Sequence, residues 1–538
     1  MELISLNVLT LLIIVPAVAA VILMIMPRQD TLARLAALVF SLGIAGFSIA
    51  IFVSYTNGNP DGAMVSPEAL PWFDLIGASW RLSIDGISAA MVLLTGLLTP
   101  LAVLVSFEVE DRVNMHMALL LFFQAGLFGV FVAGDLMIFF LFYELTLVPM
   151  YFIIDQWGGP NRKYASTKFF IYSLGGSLGM LLATQLVGLT AGTFNIAELA
   201  VIWPNFVGEN GAFLGISVET AKALAFLGFF VAFCIKVPVW PFHTWLPDAH
   251  SEAPTAGSML LAGVMLKLGA YGFLRLVVPL FPDVWVAEVN ILGAFTTNWA
   301  GIFAFLAMLG IVLGAFAAFG QTDIKRLVAY SSVNHMGFVA LGLAVTAAIY
   351  GEQFMTGATE ALQSGILATN GAVLQMFNHG LSSAGMFLLA GAIYHKTHTR
   401  DMTQYGGFWV KAPIYGGIFI FTSMASLGLP GLNGFVSEFL VVRGSYPVFT
   451  ILTVIAMLGL LFTGAYILKG IRAVLHGPFN LRWKDTRLEI EVREVIAIAP
   501  LLVLMLVLGI APNWLLSVIN ASVTEMLANP VVSDLVLR

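Results

Sequence analysis

The stretch VAFCIKVPVWPFHTWLPDAHSEAPT, residues 231–255, decides how this chain is read. It begins as an apolar helix and then places Lys236 at a depth where a membrane helix is buried in lipid. Pro238 and Pro241 follow at once, with His243 just beyond. A proline inside a helix removes a backbone donor and clashes with the preceding turn. Within a bilayer the freed groups are tolerated only where protein or trapped water satisfies them. A lysine beside a broken helix at membrane depth therefore points to an ion or proton path. The plainer reading is a lysine that snorkels to the interface beside a harmless kink.

The rest of the chain supplies the membrane. Of 538 residues, 59% are hydrophobic and only 10% are charged, whereas soluble domains carry about 25% charged residues. The fold class is an all-α polytopic membrane protein. Apolar windows of roughly 20 residues predict spans at 5–26, 33–54, 88–107, 115–134, 136–154, 166–191, 221–246, 257–280, 297–319, 324–347, 365–394, 413–440, 449–475 and 494–518. The segment VWVAEVNILGAF (284–295) reads as a short extra or interfacial piece. The first apolar run lacks a basic leader and a clear cleavage site, so it is expected to be a retained helix.

Charge in the loops tests this list. Arg28, Arg34, Arg112, Arg162, Lys163, Lys168, Lys325, Arg326, Lys396, Arg400, Lys411, Arg482, Lys484, Arg487 and Arg493 fall on one side by counting. Arg81, Lys222, Arg443 and Arg538 fall on the other. The positive-inside rule then places both termini outside. The outer loops 55–87, 192–220 and 348–364 are long and weakly charged, and none is large enough for a soluble domain. The segment 477–493 is basic and polar and is expected on the cytoplasmic surface.

A second break, SLGLPGLNGF (426–435), lies five spans after the first and is followed by Glu438. An odd offset makes two five-helix units inverted with respect to each other, a recurring transporter design with its site near mid-membrane.

Other polar residues sit inside the spans. Glu144 lies in FFLFYELTLVPMYF, and Lys267 in MLLAGVMLKLGAYGFLR, about two turns from either helix end. His335 lies in LVAYSSVNHMGFVALG and His379 in LQMFNHGLSSAGMFLLAG. A lone buried histidine is most often a satisfied core residue, but two in line with Glu144, Lys236, Lys267 and Glu438 suggest a relay. Arg275 reads as a snorkelling or paired residue, and Lys469 as lying near the cytoplasmic end. His243 and Asp248 are expected at a cytoplasmic mouth. His116, His250, His395, His398 and His476 default to solvated loop positions.

A single cysteine, Cys234, excludes a disulfide framework and four-cysteine iron–sulfur ligation within this chain. No nucleotide-binding glycine fingerprint or metal motif emerges. No cofactor is expected on this chain, and any redox cofactor belongs to a partner.

The runs FYELTLVPMYFII (142–154), KVPVWPFHTWLPDAHSEAPT (236–255), LAGVMLKLGAYGFLR (261–275), TDIKRLVAYSSVNHMGF (322–338), MFNHGLSSAGMFLLAG (376–391) and LGLPGLNGFVSEF (427–439) resemble the antiporter-like proton-pumping subunits of respiratory complex I, NADH:quinone oxidoreductase. The resemblance covers roughly residues 85–475. It is closest to the subunit-4 type, called M in bacterial enzymes, because Glu438 stands where the sibling subunits usually carry lysine.

The resemblance implies about fourteen helices, with inverted repeats at 113–281 and 282–476. Residues 1–112 then hold helices one to three, and 477–538 a surface segment and the final helix. It also implies a hydrophilic axis in which Glu144 and Lys236 form a charge pair, Lys267 is the central bridge, His335 and His379 continue, and Glu438 ends at a neighbour. The expected role is proton translocation by a non-redox subunit whose partners carry FMN, iron–sulfur clusters and quinone. Those partners are two further antiporter-like subunits and the small membrane subunits. The expected site is a bacterial inner membrane or an equivalent energy-coupling membrane, with no role for nucleic acid. A subunit of a cation/proton antiporter or membrane-bound hydrogenase-type complex is the alternative, since Glu144, Lys236 and Lys267 are shared with that superfamily.

Overall fold

In the computed structural model, the described residues are 7–528 apart from 60, 74, 208–211, 214 and 292–294. Arg538 and parts of the outer loops discussed above lie outside them. Long apolar runs in a bilayer must satisfy their backbone internally, and helices do so within one segment.

The chain opens with α1 (Val8–Ile25) and α2 (Asp30–Gly58), then a hairpin of β1 (Val65–Phe73) and β2 (Ala78–Ile84). Glu68 on that hairpin accepts from the Leu9 amide at 2.7 Å, which ties the hairpin to the start of α1. Then come α3 (Gly86–Val105), α4 (Val113–Phe131), α5 (Leu136–Leu145), α6 (Leu147–Trp157), α7 (Arg162–Ala191), the short α8 (Ile196–Ile202) and α9 (Val218–Lys236). A small hairpin, β3 (Ala212–Phe213) and β4 (Ile216–Ser217), precedes α9.

After the first break lie α10 (Trp245–Glu252) and a long run of α11 (Thr255–Leu260), α12 (Leu266–Gly272) and α13 (Val278–Leu280), joined by π-helical turns at 261–265 and 273–277. A short α14 (Pro282–Val286) and a hairpin of β5 (Glu288–Ile291) and β6 (Phe295–Asn298) lead into α15 (Trp299–Gly320). The second half continues with α16 (Ile324–Thr356), α17 (Leu362–Thr397), α18 (Pro413–Leu427), α19 (Asn433–Ser445) and α20 (Thr450–Leu475). The described chain closes with α21 (Val492–Ile510) and α22 (Asn513–Ala528).

Among the described residues, 12 helices are long and apolar enough to cross a membrane. The mainly helical membrane class read from composition therefore holds. The long α17 carries Gln375, Asn378, His379, Ser382 and Ser383 along its middle, and all five are buried. The tightest helix packing joins α15, α16, α17 and α19.

Several expected spans differ in detail. The span at 136–154 is two helices meeting at Thr146. The Pro149 ring would collide with the carbonyl four residues back, that of Leu145, where α5 ends. The span at 221–246 stops at Lys236, and the one at 413–440 stops at Leu427 and resumes at Asn433. The last one, 494–518, ends at Ile510, because Pro512 cannot continue the helix, and α22 packs back against α3 and α17. The loop expected outside at 348–364 is mostly helix, since α16 runs on to Thr356. The extra segment at 284–295 is a one-turn helix and part of a hairpin rather than a span.

Candidate functional site

Each broken helix presents an ionisable side chain at its interruption. Lys236 is the last residue of α9, at the carbonyl end of the helix. That end carries partial negative charge and suits a cation. The lysine is 1% exposed, so it does not snorkel. Its ammonium lies 4.8 Å from the centroid of the Tyr143 ring and 5.9 Å from that of Phe169, and it has no hydrogen-bond partner. Glu144 is half-buried on α5, within electrostatic reach of Lys236, yet its Oε1 is also without a partner. Neither an ion pair nor a hydrogen bond joins the two. The run that carries Lys267 presses against Lys236 from the other side. A Cβ built on Gly269 would stand 3.0 Å from the Lys236 Cβ, so only glycine admits that approach.

Lys267 is fully buried on α12, between the two π-helical turns. Such turns insert an extra residue and recur at functional sites. Its ammonium donates to the carbonyl of Ala262 in the first of them and lies 2.9 Å from His379 Nδ1. The His379 and His335 rings stand with centroids 5.8 Å apart. His335 Nδ1 meets Glu438 Oε1 at 2.8 Å, and its Nε2 meets the Tyr466 hydroxyl at 3.2 Å. Lys267, His379, His335 and Glu438 thus form a nearly continuous buried row across α12, α17, α16 and α19.

The second break shapes the end of that row. Gly428 adopts φ +81°, a left-handed conformation that favours glycine. A Cβ there would also sit 3.3 Å from Glu438 Oε2, so the carboxylate folds back onto the break. Gln375 donates to Glu438 Oε1 at 3.0 Å, and Ser437 donates to Gln375 Oε1 at 2.5 Å. Asn378 and Asn433 each donate to the other's backbone carbonyl, at 2.8 and 3.1 Å, which pins α17 to the start of α19.

The sequence singled out the ionisable members of this site and passed over Gln375, Asn378, Ser437 and Tyr466. The signal was present on α17, where Gln375 lies one turn before His379 and so shares its face. Tyr466 carried none, being one aromatic in an apolar run.

Residues ranked low sort out as follows. Lys469 donates to the carbonyls of Phe319 and Gln321, capping the end of α15, away from the row. Arg275 is ion-paired with Asp85. Asp248 is held by Lys168 at 2.6 Å and Arg326 at 3.0 Å, and His243 nearby is half-buried. The expectation that His116 and His250 are solvated is wrong: both are 0% exposed. His116 bonds Ser106 at 3.1 Å, and α10 folds His250 inward, because Pro254 ends that helix and the chain turns back into the bundle. His395 is on the surface side but pairs with Glu108 at 2.5 Å. Among the described residues no group of three or more His, Cys, Asp or Glu could hold a metal ion.

The profile of the NADH:quinone oxidoreductase/Mrp antiporter transmembrane family matches residues 133–463, which spans both breaks and every residue of the row. This chain belongs to that family. Among curated relatives, the NADH-quinone oxidoreductase subunit M of Rhodobacter capsulatus is 38% identical over 531 residues, covering 97% of each chain. That of Escherichia coli K12 is 41% identical over 467 residues, covering 84% of each. The NAD(P)H-quinone oxidoreductase chain 4 1 of Synechococcus elongatus is 35% identical, covering 97% of this chain and 91% of its own. Among solved structures, a chain of respiratory complex I from Thermus thermophilus superposes with a TM-score of 0.79 at 27% identity, covering 96% of this chain and 99% of that one. A chain of the Mrp complex from Dietzia shares the fold, with a TM-score of 0.78 at 21% identity.

Proposed function

We propose that this chain is the M-type, proton-translocating membrane subunit of an NADH:quinone oxidoreductase. Relatives of comparable length include subunit M proteins, and its family is the antiporter-like one. The observation that carries the mechanism is the buried row from Lys267 through His379 and His335 to Glu438. An idle ionisable group at membrane depth is costly, so four in series call for a task.

In this reading Glu144 and Lys236 act as a switch. Moving the carboxylate toward or away from the lysine changes how firmly Lys236 holds its proton, and each pKa unit corresponds to about 1.4 kcal/mol. Lys267 bridges the switch to the row, and Glu438 delivers to a neighbouring subunit. The energy comes from quinone reduction in partner subunits, which carry the flavin, the iron–sulfur clusters and the quinone site. The partners are two further antiporter-like subunits and the small membrane subunits.

We place α17 and the broken pair α18–α19 in the membrane with the twelve apolar helices, giving about fourteen spans. Repeats at 113–281 and 282–476 are inverted, each holding one break, between helices one to three (1–112) and a closing segment (477–538). Loop charge favours both termini outside a bacterial inner membrane.

The test is proton pumping by the assembled complex in vesicles. Lys236→Ala is expected to cut pumping about 100-fold or more, while the complex still assembles. Normal pumping by that variant sinks the switch.

The alternative, a cation/proton antiporter subunit, is supported by the shared fold and by a family that includes both kinds of protein. Co-purification discriminates: a large assembly with flavin and iron–sulfur absorbance supports the redox complex.

A further inference from the structure

Gln375 and Ser437 do not ionise, yet they press against the one contact of the row at which a carboxylate meets a histidine. Gln375 on α17 is buried, and Ser437, the residue before Glu438 on α19, is fully so. Glu438 Oε1 has two neighbours, His335 Nδ1 at 2.8 Å and the Gln375 amide nitrogen at 3.0 Å. The other end of that amide, Gln375 Oε1, accepts from the Ser437 hydroxyl at 2.5 Å. The titratable groups facing this cluster are His335 of α16 and, around its ring, Tyr466 of α20 and His379 of α17.

Ser437 can serve the amide in either orientation. Its Oγ lies 3.2 Å from the Gly434 carbonyl and 3.4 Å from that of Asn433, and Asn378 donates to it at 3.0 Å. A hydroxyl has one proton to give and two lone pairs to receive with. With the amide as it stands, Ser437 gives its proton to Gln375 Oε1 and receives from Asn378. With the amide turned over, Ser437 receives from both amides and gives its proton to the Gly434 carbonyl. The terminal torsion of glutamine is broad and roughly two-fold, so the turn exchanges oxygen for nitrogen in the same space. The charge on Glu438 then decides between the two, because an ionised carboxylate only accepts, whereas a neutral acid also donates.

We propose that Gln375 is a positioning residue for proton transfer from His335 to Glu438, and that its amide, pivoting on Ser437, turns over when Glu438 takes the proton. This rests on the proton-translocating reading above. In the step, the Nδ1–H bond of a doubly protonated His335 ring breaks and an O–H bond forms on Glu438 Oε1. An imidazolium and a carboxylate become a neutral imidazole and a neutral acid. While Gln375 still offers its NH2, the new O–H points back at Nδ1. Once the amide has turned, Gln375 Oε1 accepts from that O–H and holds the proton on Glu438. The amide turns back when Glu438 is ionised again.

Variants of the assembled complex in vesicles test it, with Glu438→Gln as the reference. Gln375→Met keeps the length and removes the amide, and is expected to lower pumping about tenfold, as for one hydrogen bond to a charged group. Ser437→Ala removes the pivot, and is expected to lower it about threefold, as for one neutral hydrogen bond. The signature that a merely structural role would not move is vibrational. In acid-minus-alkaline infrared spectra of complex carrying carbon-13-labelled glutamine, the carboxylic acid band that Glu438→Gln removes is expected to rise together with a shift of one glutamine carbonyl band. Gln375→Met abolishes that shift, and Ser437→Ala alters it.

If Glu438→Gln is impaired while assembled Gln375→Met pumps like the parent, the positioning role is overturned and the translocation reading stands. If Glu438→Gln also pumps normally, Glu438 is not on the path and both readings fall. An acid band that rises with no glutamine band beside it overturns the turning amide. Should Gln375→Met fail to assemble, Ser437→Ala decides, and parent-like pumping with an unaltered glutamine band overturns the proposal.

Discussion

The two breaks solve one problem in opposite ways. At the first, Lys236 and Glu144 face each other with no hydrogen bond between them, and the lysine lies over the Tyr143 ring. At the second, Glu438 is gripped by His335 and Gln375 at 2.8 and 3.0 Å and folded against Gly428. The first is followed by prolines and leaves the Lys236 ammonium and Glu144 Oε1 without hydrogen-bond partners. The second holds Gly428, Pro430 and Gly431 and is pinned by paired asparagines. A coupling that works through space falls off slowly with distance, whereas a hydrogen bond weakens steeply once its geometry is lost. The proposed function assigns switching to the first region and conduction to the second.

Shortening each carboxylate by one methylene tests that contrast. Glu438→Asp draws the carboxylate away from His335 and is expected to cost about tenfold in pumping, the worth of one hydrogen bond to a charged group. A Glu438→Asp complex that pumped like the parent would show that contact is not required there. Tyr466→Phe removes only the hydroxyl on His335 Nε2. Pumping by vesicles of this variant is expected to fall about threefold, in keeping with roughly 0.7 kcal/mol for one neutral hydrogen bond. Glu144→Asp keeps the charge and shifts it slightly, so pumping is expected to stay within about twofold of the parent. A loss as deep as that of Glu438→Asp would mean that the first pair also works by contact, and the distinction between the two regions would go.

The membrane class and the six ionisable residues were legible because a charge in an apolar run stands out and has a known cost. Lys236, Lys267 and Glu438 are all buried as expected. What the sequence hid is of two kinds. Amides and hydroxyls such as Gln375 and Tyr466 are cheap enough at membrane depth to look incidental, and only the fold reveals which of them turn toward the row. His250 was misread because prolines on both sides suggest a loop, and loops usually face water. Here Pro247 sits in the first turn of α10 and Pro254 follows its end, so the same punctuation marks a short helix folded into the bundle. The spans were misjudged wherever a proline or glycine stopped a helix inside an apolar window, since hydropathy averages across such a stop.

Helix α17 carries His379 near its middle and His395 near its end, 16 residues apart. At 1.5 Å per residue that is about 24 Å of continuous helix. A straight helix of that length is a lever arm, with His379 at mid-length and His395 near the tip. A tilt of about two degrees around His379 swings His395 sideways by about 0.8 Å over that arm, enough to loosen its 2.5 Å contact with Glu108. Movement too small to disturb the row can thus be felt at the His395–Glu108 contact four turns away.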